Sequence, residues 1–521
     1  MKNLFFLLLF LASTPLIGQN VLKENLGPKV RLYWDASNKH LQATGSYFTS
    51  AATPKSTEKH GKWTFYTYDG LLEEESNYYR DRLLGKRVFY YPNKKVKEES
   101  YFKFNVPDSL FFQWNEAGKL VTKGQFELGS PVGDWAYYFD DGREKSIEKV
   151  INDTVYLMAS WEEDSAHRQT VKNGNGLIEE RYVNGVIKAS YTFKNGLKNG
   201  AFEERTANGV LSVSGAFKDG KKDGSWEFYE YQGILEKKLT YKADSLDGEY
   251  LVLSISGDTI NAGNYEMGRK NGFWIWKTPE KNVEMCGFFD QDLQDSLWHY
   301  YFSSGELSYI AHFNKGKRTG EWNYYYQNGA SYRKGNYLND QREGNWQTWY
   351  EDGVLLMNGQ YEQGKEEGVW YNYWENGALK NKAEFKHGLM NGEWLSYTPE
   401  SILSNAGKYK KGYKVGTWYT YYNNGRLKEK VNYKVFTETN VTNDMAIMGL
   451  KETVSDYHGK FEAYSQKDFQ LKAEGTYRKG MKHGKWIDYY PGGIVPTIVS
   501  EYRYGKLDGV FEQRDPRGRL V

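Results

Sequence analysis

Gly320-Glu321-Trp322-Asn323-Tyr324-Tyr325-Tyr326-Gln327-Asn328-Gly329 returns as Gly344-Asn345-Trp346-Gln347-Thr348-Trp349-Tyr350-Glu351-Asp352-Gly353. It returns again as Gly368-Val369-Trp370-Tyr371-Asn372-Tyr373-Trp374-Glu375-Asn376-Gly377, so the step is 24 residues. Between copies runs a second segment, Gly359-Gln360-Tyr361-Glu362-Gln363-Gly364-Lys365-Glu366-Glu367. Self-similarity at such a period marks a repeat array. Outward from this stretch, the opening residue falls at 61, 85, 109 and 133, at 176 and every 24 residues to 416, then at 459, 484 and 509. Ser109 and Ser296 stand where the others have Gly. Two places on, the residue is Trp at 63, 135, 226, 274, 298, 322, 346, 370, 394, 418 and 486, and Phe or Tyr at 111, 202, 250, 461 and 511. Only Arg87 and Ile178 depart.

Asn-Gly or Asp-Gly, as at Asn328-Gly329 and Asp141-Gly142, supplies the positive φ values of a tight hairpin turn. The second loop, G-K-x-x-G as at Gly364-Lys365-Glu366-Glu367-Gly368, also carries glycines where the chain must reverse. Each repeat therefore reads as two strands and two turns. A lone hairpin is marginal in water, so repeats must pair edge to edge. The predicted fold is all-β: an elongated antiparallel sheet, a solenoid-like array of 24-residue β-hairpin repeats. The second-place aromatics form a ladder on one face. Each covers about 150–250 Å², roughly 4–6 kcal/mol at about 25 cal/mol per Å² before entropy is counted.

Composition agrees. Gly (54), Tyr (45) and Trp (17) are abundant among 521 residues, and aromatics at 17% exclude a disordered chain. A net charge of +2 gives no field to attract nucleic acid, which is not an expected partner. Cys286 is the one cysteine and makes no internal disulfide. Lys2 followed by the apolar run Leu4–Ala12 reads as a signal peptide, residues 1–19, too short to anchor in a bilayer. The expectation is an exported chain, periplasmic, secreted or on the cell surface. It is expected to be neither a lipoprotein nor, once mature, to hold a transmembrane helix.

Chemistry-bearing motifs are decoys. Gly359–Lys365 and Gly215–Lys221 fit the P-loop spacing, but Glu366 and Lys222 follow where Ser or Thr would be needed. His60, His458 and His483 each precede an opening residue, where an exposed loop is expected. No metal-ligand or nucleophile motif stands out, so no catalytic residue, cofactor or metal is assigned. The chain is read as non-enzymatic.

With its W-x-x-Y-Y-x-N-G and G-K-x-x-G signatures over nearly the whole mature chain, the array resembles MORN (membrane occupation and recognition nexus) repeats of the bacterial variant type. The resemblance implies an antiparallel sheet of successive hairpins serving as a scaffold or binding surface. It also implies links to membranes and assembly platforms, and in bacteria an antitoxin-like label. The expected organisation is a first repeat block over 20–150, a degenerate repeat or interruption over 151–175, a second block over 176–433, an interruption loop over 434–458 and a last block over 459–521. Both interruptions come from the same 43-residue step, 133 to 176 and 416 to 459.

Alternation along a strand points the fifth-place residues away from the tryptophan ladder. Tyr138, Tyr229, Tyr325, Trp349, Tyr373, Tyr397 and Tyr421 are therefore the candidate partner-binding stripe, and a protein is the leading partner. A glycan on the same stripe is one alternative. The other is an anionic membrane surface held by the loop pairs Lys221–Lys222, Arg269–Lys270 and Lys317–Arg318. The last strand edge is an expected self-association contact.

Overall fold

The computed structural model describes residues 22–438 and 452–521. The expected signal segment and Met445, Ile447 and Met448 lie outside the described residues. The described residues form 41 strands and no helix. The chain divides into two compact halves, Met1–Gly248 and Glu249–Val521. Within each half, strands consecutive in sequence pair antiparallel. The all-β hairpin array read from the sequence is the observed fold.

The repeat opening at Gly344 illustrates how residues set the backbone. Strand Gln341–Trp349 pairs with Leu355–Glu362, placing Gly344 opposite Tyr361 and Trp346 opposite Gly359. Between them, Gly353 N–H donates to Tyr350 O at 3.0 Å and Tyr350 N–H to Val354 O at 2.8 Å. Gly353 has φ +87° while Asp352 stays out of the left-handed region. This is a type I turn closed by a glycine bulge, which needs only one positive φ. The tight turn with several positive φ values expected at Asn-Gly is thus not found there. The acidic or amide residue instead braces the turn through its side chain. Asp352 Oδ1 accepts from Val354 N–H at 3.0 Å, as Asn328 Oδ1 does from Ala330 N–H at 2.8 Å.

The tight turn sits at the other end. Gln363 (φ +49°) and Gly364 (φ +78°) make a two-residue type I′ turn between Leu355–Glu362 and Lys365–Tyr373. Asn339 and Asp340 do the same without any glycine, at φ +48° and +70°. The opening glycine reverses nothing either. Gly344 (φ +67°) lies inside its strand, at a register shift opposite Lys334–Asn336, and is a β-bulge. Ser109 (φ +79°) and Ser296 (φ +56°) adopt the same conformation at a steric cost.

Two faces result. Trp346 and Thr348 are buried on one; Gln347 and Trp349 are half-buried on the other. On the buried face each indole lies over the residue eleven places earlier, save Trp63, which lies over Gly45. A Cβ added to Gly335 would fall 2.1 Å from the Trp346 ring, and the same holds for Gly215 under Trp226 (2.3 Å) and Gly407 under Trp418 (2.2 Å). Trp346 Nε1–H donates to Asn336 O at 3.1 Å. Tyr337 meets the indole edge-to-face at 5.2 Å and 86°. Arg342 covers it, its guanidinium 5.0 Å from the ring centre. Thus G-x-Y is a packing slot followed by its edge-on ring.

The first interruption continues the sheet of its half. Thr154–Trp161, Gln169–Lys172 and Asn175–Arg181 pair in sequence, with fully buried Val171 and the small Ala159 and Ala189 filling the face. At the second, strands Leu427–Glu438 and Glu452–Tyr464 are longer than their neighbours and pair directly, Lys434 opposite Asp456 and Phe436 opposite Val454. This hairpin arm replaces a loop over those residues.

Candidate functional site

The face opposite the ladder carries the expected stripe. Tyr138, Tyr229, Tyr325, Trp349, Tyr373, Tyr397 and Tyr421 are all half-buried. Strand alternation puts each at the end of its first strand, next to the five-residue turn. In the C-terminal half the row Tyr301, Tyr325, Trp349, Tyr373, Tyr397 and Tyr421 is unbroken over successive 24-residue steps. In the N-terminal half it is interrupted. Arg181 and Arg205 replace the aromatic, paired with Glu179 and with Glu203 (2.7 Å).

Cross-strand ion pairs flank the stripe, among them Lys62–Glu75 (2.6 Å), Lys86–Glu99 (2.6 Å), Lys334–Glu321 (2.9 Å) and Lys382–Glu393 (2.8 Å). Several stripe hydroxyls are held by carboxylates of this face. Tyr90 donates to Glu75 at 3.0 Å, and burial together with that bond pushes its phenol up to about 12. Tyr229 donates to Glu227 at 2.6 Å, which with partial burial raises its pKa, and burial raises Tyr421. Cys286, on the same face, is raised by burial, an effect that its hydrogen bond with Tyr301 opposes.

The aromatic next along from the stripe wires one repeat to the following one. Tyr326 O–H donates to Trp349 O at 2.8 Å, Tyr350 O–H to Tyr373 O at 3.0 Å and Trp374 Nε1–H to Tyr397 O at 3.1 Å. The turn asparagine repeats the pattern, with Asn376 Nδ2–H donating to Pro399 O at 2.7 Å and Asn184 to Ala207 O at 2.9 Å.

The basic loops divide by position. Lys222, Lys270 and Arg318 fold back over the ladder, 4.5 Å from the Trp226 ring, 4.9 Å from Trp274 and 4.4 Å from Tyr337. Lys221, Arg269 and Lys317 are exposed. Each basic pair therefore presents one outward cation rather than two. Sequence reading missed this inward member; its signal is a basic residue two places before the opening glycine at 59, 198, 222, 270, 318, 342, 414 and 482.

The histidines also differ from expectation. His60 lies in strand Lys59–Tyr66 at 1% exposure, its Nε2 2.8 Å from Glu24 O and its ring between Phe48 and Tyr79. Burial lowers His458, which packs on Phe436. Both sit in strands rather than exposed loops. Among the described residues, no group of three His, Cys, Asp or Glu is arranged to hold a metal ion.

Comparison with solved structures finds the TcdB2–TccC3 complex, 12% identical over 94% of this chain, with a TM-score of 0.12. It also finds a Photorhabdus luminescens Tc holotoxin pore carrying a mutated TccC3, with the same identity, coverage and score. This chain spans 30% of the length of each, and at that score the likeness carries no structural argument. No curated protein matches the sequence. The MORN repeat variant family matches at 83–104, 342–363, 366–387 and 414–434. Each match opens two places before an opening glycine, at the covering cation itself for Arg342 and Lys414, and runs through the slot to the edge-on ring. These four stretches are repeats of the MORN variant type.

Proposed function

We propose that this chain is a non-enzymatic, exported scaffold that holds a protein partner in the periplasm or at the cell surface. The observation that carries the reading is the six-residue aromatic row of the C-terminal half, half-buried but outside the ladder that consumes the other rings. Tyr and Trp presented on a rigid frame bring large contact area at low entropic cost. The test is a photo-crosslinking amino acid placed at Tyr325, Tyr373 or Tyr397 in the native host. One dominant protein adduct in the envelope fraction, lost when neighbouring stripe residues become Ser, is expected. Adducts as frequent from an exposed turn site such as Gln327, or a chain that stays in the cytoplasm with residues 1–19 attached, would overturn it.

A second reading rests on the two-residue-turn edge of the C-terminal half. Exposed Arg269, Lys317 and Lys365 alternate there with exposed Leu293 and Leu389, a mixture suited to an anionic membrane surface. Cosedimentation with anionic vesicles that fades with salt and with charge reversal at Arg269, Lys317 and Lys365 is the expected result.

A further inference from the structure

The aromatic face of the C-terminal half changes character around Trp349. On both sides it is charged, bounded by the ion pairs Lys334–Glu321 and Lys382–Glu393. Between these pairs, strands Gln341–Trp349 and Leu355–Glu362 carry four amides, Asn345 and Asn358 standing where the preceding repeat has the ion-paired Glu321 and Lys334. Asn345 stands directly across from Gln360, and Gln347 across from Asn358. Asn345 and Gln360 are exposed, while Gln347 and Asn358 are half-buried. Asn358 Oδ1 has no hydrogen-bond donor, although it is shielded from solvent. By contrast, the amides Asn372 and Asn381 on the opposite face bond each other at 2.8 Å. Trp349 and Tyr371 border the four amides, Tyr371 being the cross-strand neighbour of Asn358.

We propose that this amide field, Asn345, Gln347, Asn358 and Gln360 with Trp349 and Tyr371, binds an uncharged polysaccharide. A primary amide offers paired donors and an acceptor, which match the vicinal hydroxyls of a pyranose. The flat apolar face of the same sugar lies against an indole or phenol ring. The field carries no charge, so it gives nothing to an acidic polymer. Four amides at the centre of a protein interface would each cost desolvation if left imperfectly paired, whereas sugar hydroxyls rotate to meet them. Asn358 gains most, since turning its amide toward a ligand hydroxyl supplies the missing donor. The stripe repeats once per two strands, about 10 Å, so Tyr325, Trp349 and Tyr373 lie along the path of an extended chain. The site is a segment of the proposed partner-binding face but does not depend on a protein partner.

The experiment titrates the purified full chain with cellohexaose, laminarihexaose, maltohexaose and chitohexaose, and with polygalacturonate as the charged control. Tryptophan fluorescence and calorimetry are the readouts. Saturable binding of at least one neutral hexasaccharide, unchanged in roughly 0.5 M salt, is expected, because no charge is involved. Asn345→Ala with Gln360→Ala, both exposed and so neutral to folding, should weaken it about tenfold or more. Trp349→Ala should do the same by calorimetry. No response to any neutral hexasaccharide overturns the proposal. So does binding that survives both variants within about twofold, or binding of polygalacturonate alone. The crosslinking result is independent of all three outcomes.

Discussion

Two stretches of the ladder solve one packing problem with different residue pairs. In the C-terminal half, Gly287, Gly335 and Gly359 lie under Trp298, Trp346 and Trp370. In the N-terminal half, Ser76 faces Arg87 and Ser100 faces Phe111. Across the chain every ladder tryptophan has Gly or Ala in its slot, Ala311 and Ala383 being the alanines. Phe202, Phe461 and Phe511 face Tyr191, Val431 and Ser500 instead. Ring and slot therefore form one unit: a bicyclic indole excludes a slot side chain larger than a methyl group, whereas a phenyl or guanidinium leaves room for one. Arg87 shows how far this stretches. Its guanidinium lies 4.4 Å from Phe89 and 4.9 Å from Phe102, with Glu98 at 3.7 Å, so cation–π contact replaces ring packing.

The comparison can be broken most severely at its rings. Trp346→Ala should cost about 3–5 kcal/mol, while Phe111→Ala, in a half-buried serine-slot repeat, should cost about 1–2 kcal/mol. Repeat arrays unfold locally, so hydrogen exchange over strands 331–349 and 106–114 is the measurement. Next is Gly335→Val, whose side chain must displace the indole at about 3 kcal/mol. Adding Trp346→Phe should recover at least about 1 kcal/mol, since neighbours in contact are non-additive. The converse exchange sharpens the rule. Arg87→Trp alone should destabilise by about 1–3 kcal/mol, and Ser76→Gly should reverse part of that loss when combined with it, though not by itself. Arg342→Ala, which uncovers one indole without touching its slot, should cost about 1 kcal/mol.

The smallest effect is on pH. Glu462 is held below the ordinary carboxylate range by hydrogen bonds from Lys460, Tyr464 and Lys430, against the opposing pull of burial. Its folded pKa lies below its unfolded one, so the stability it contributes is present above about pH 4.3 and is lost as pH falls through the folded value. Exchange protection of strand Glu452–Tyr464 should therefore decline on acidification, and Glu462→Gln should flatten that decline.

Period, strand pairing and the division into two faces are legible in the sequence, because a 24-residue repeat and a two-residue alternation admit few other arrangements. The turns are not. Asn328-Gly329 carries the dipeptide of a two-residue turn, yet its strands end at Tyr325 and resume at Ser331, a connection too long for one. The true two-residue turns hide because Asn339-Asp340 or Gln363-Gly364 fills them with no fixed dipeptide. The covering cations resemble solvated loop residues in the sequence because the bulge at the opening glycine changes which side a residue two places earlier faces. His60 departs from its expected loop for a related reason: strand Lys59–Tyr66 begins before the glycine rather than at it. The amide field of Asn345, Gln347, Asn358 and Gln360 leaves no sequence signal beyond the loss of charge at Asn345 and Asn358, where the preceding repeat has Glu321 and Lys334.

The hydroxyl of Tyr350 and the amide of Asn376 each reach forward to the repeat that follows, and the repeat of Tyr350 receives the same contact from Tyr326 behind it. Within each half the array therefore has a polarity, like a row of hooks all facing one way. Cutting between repeats leaves bare donors on one fragment and bare carbonyls on the other. Pieces of this chain could be spliced head to tail at the natural period but not joined head to head. A gene that gains or loses one such segment in frame would preserve the forward hydrogen bonds at the new junction, provided that the slot of one repeat matches the ring of the next.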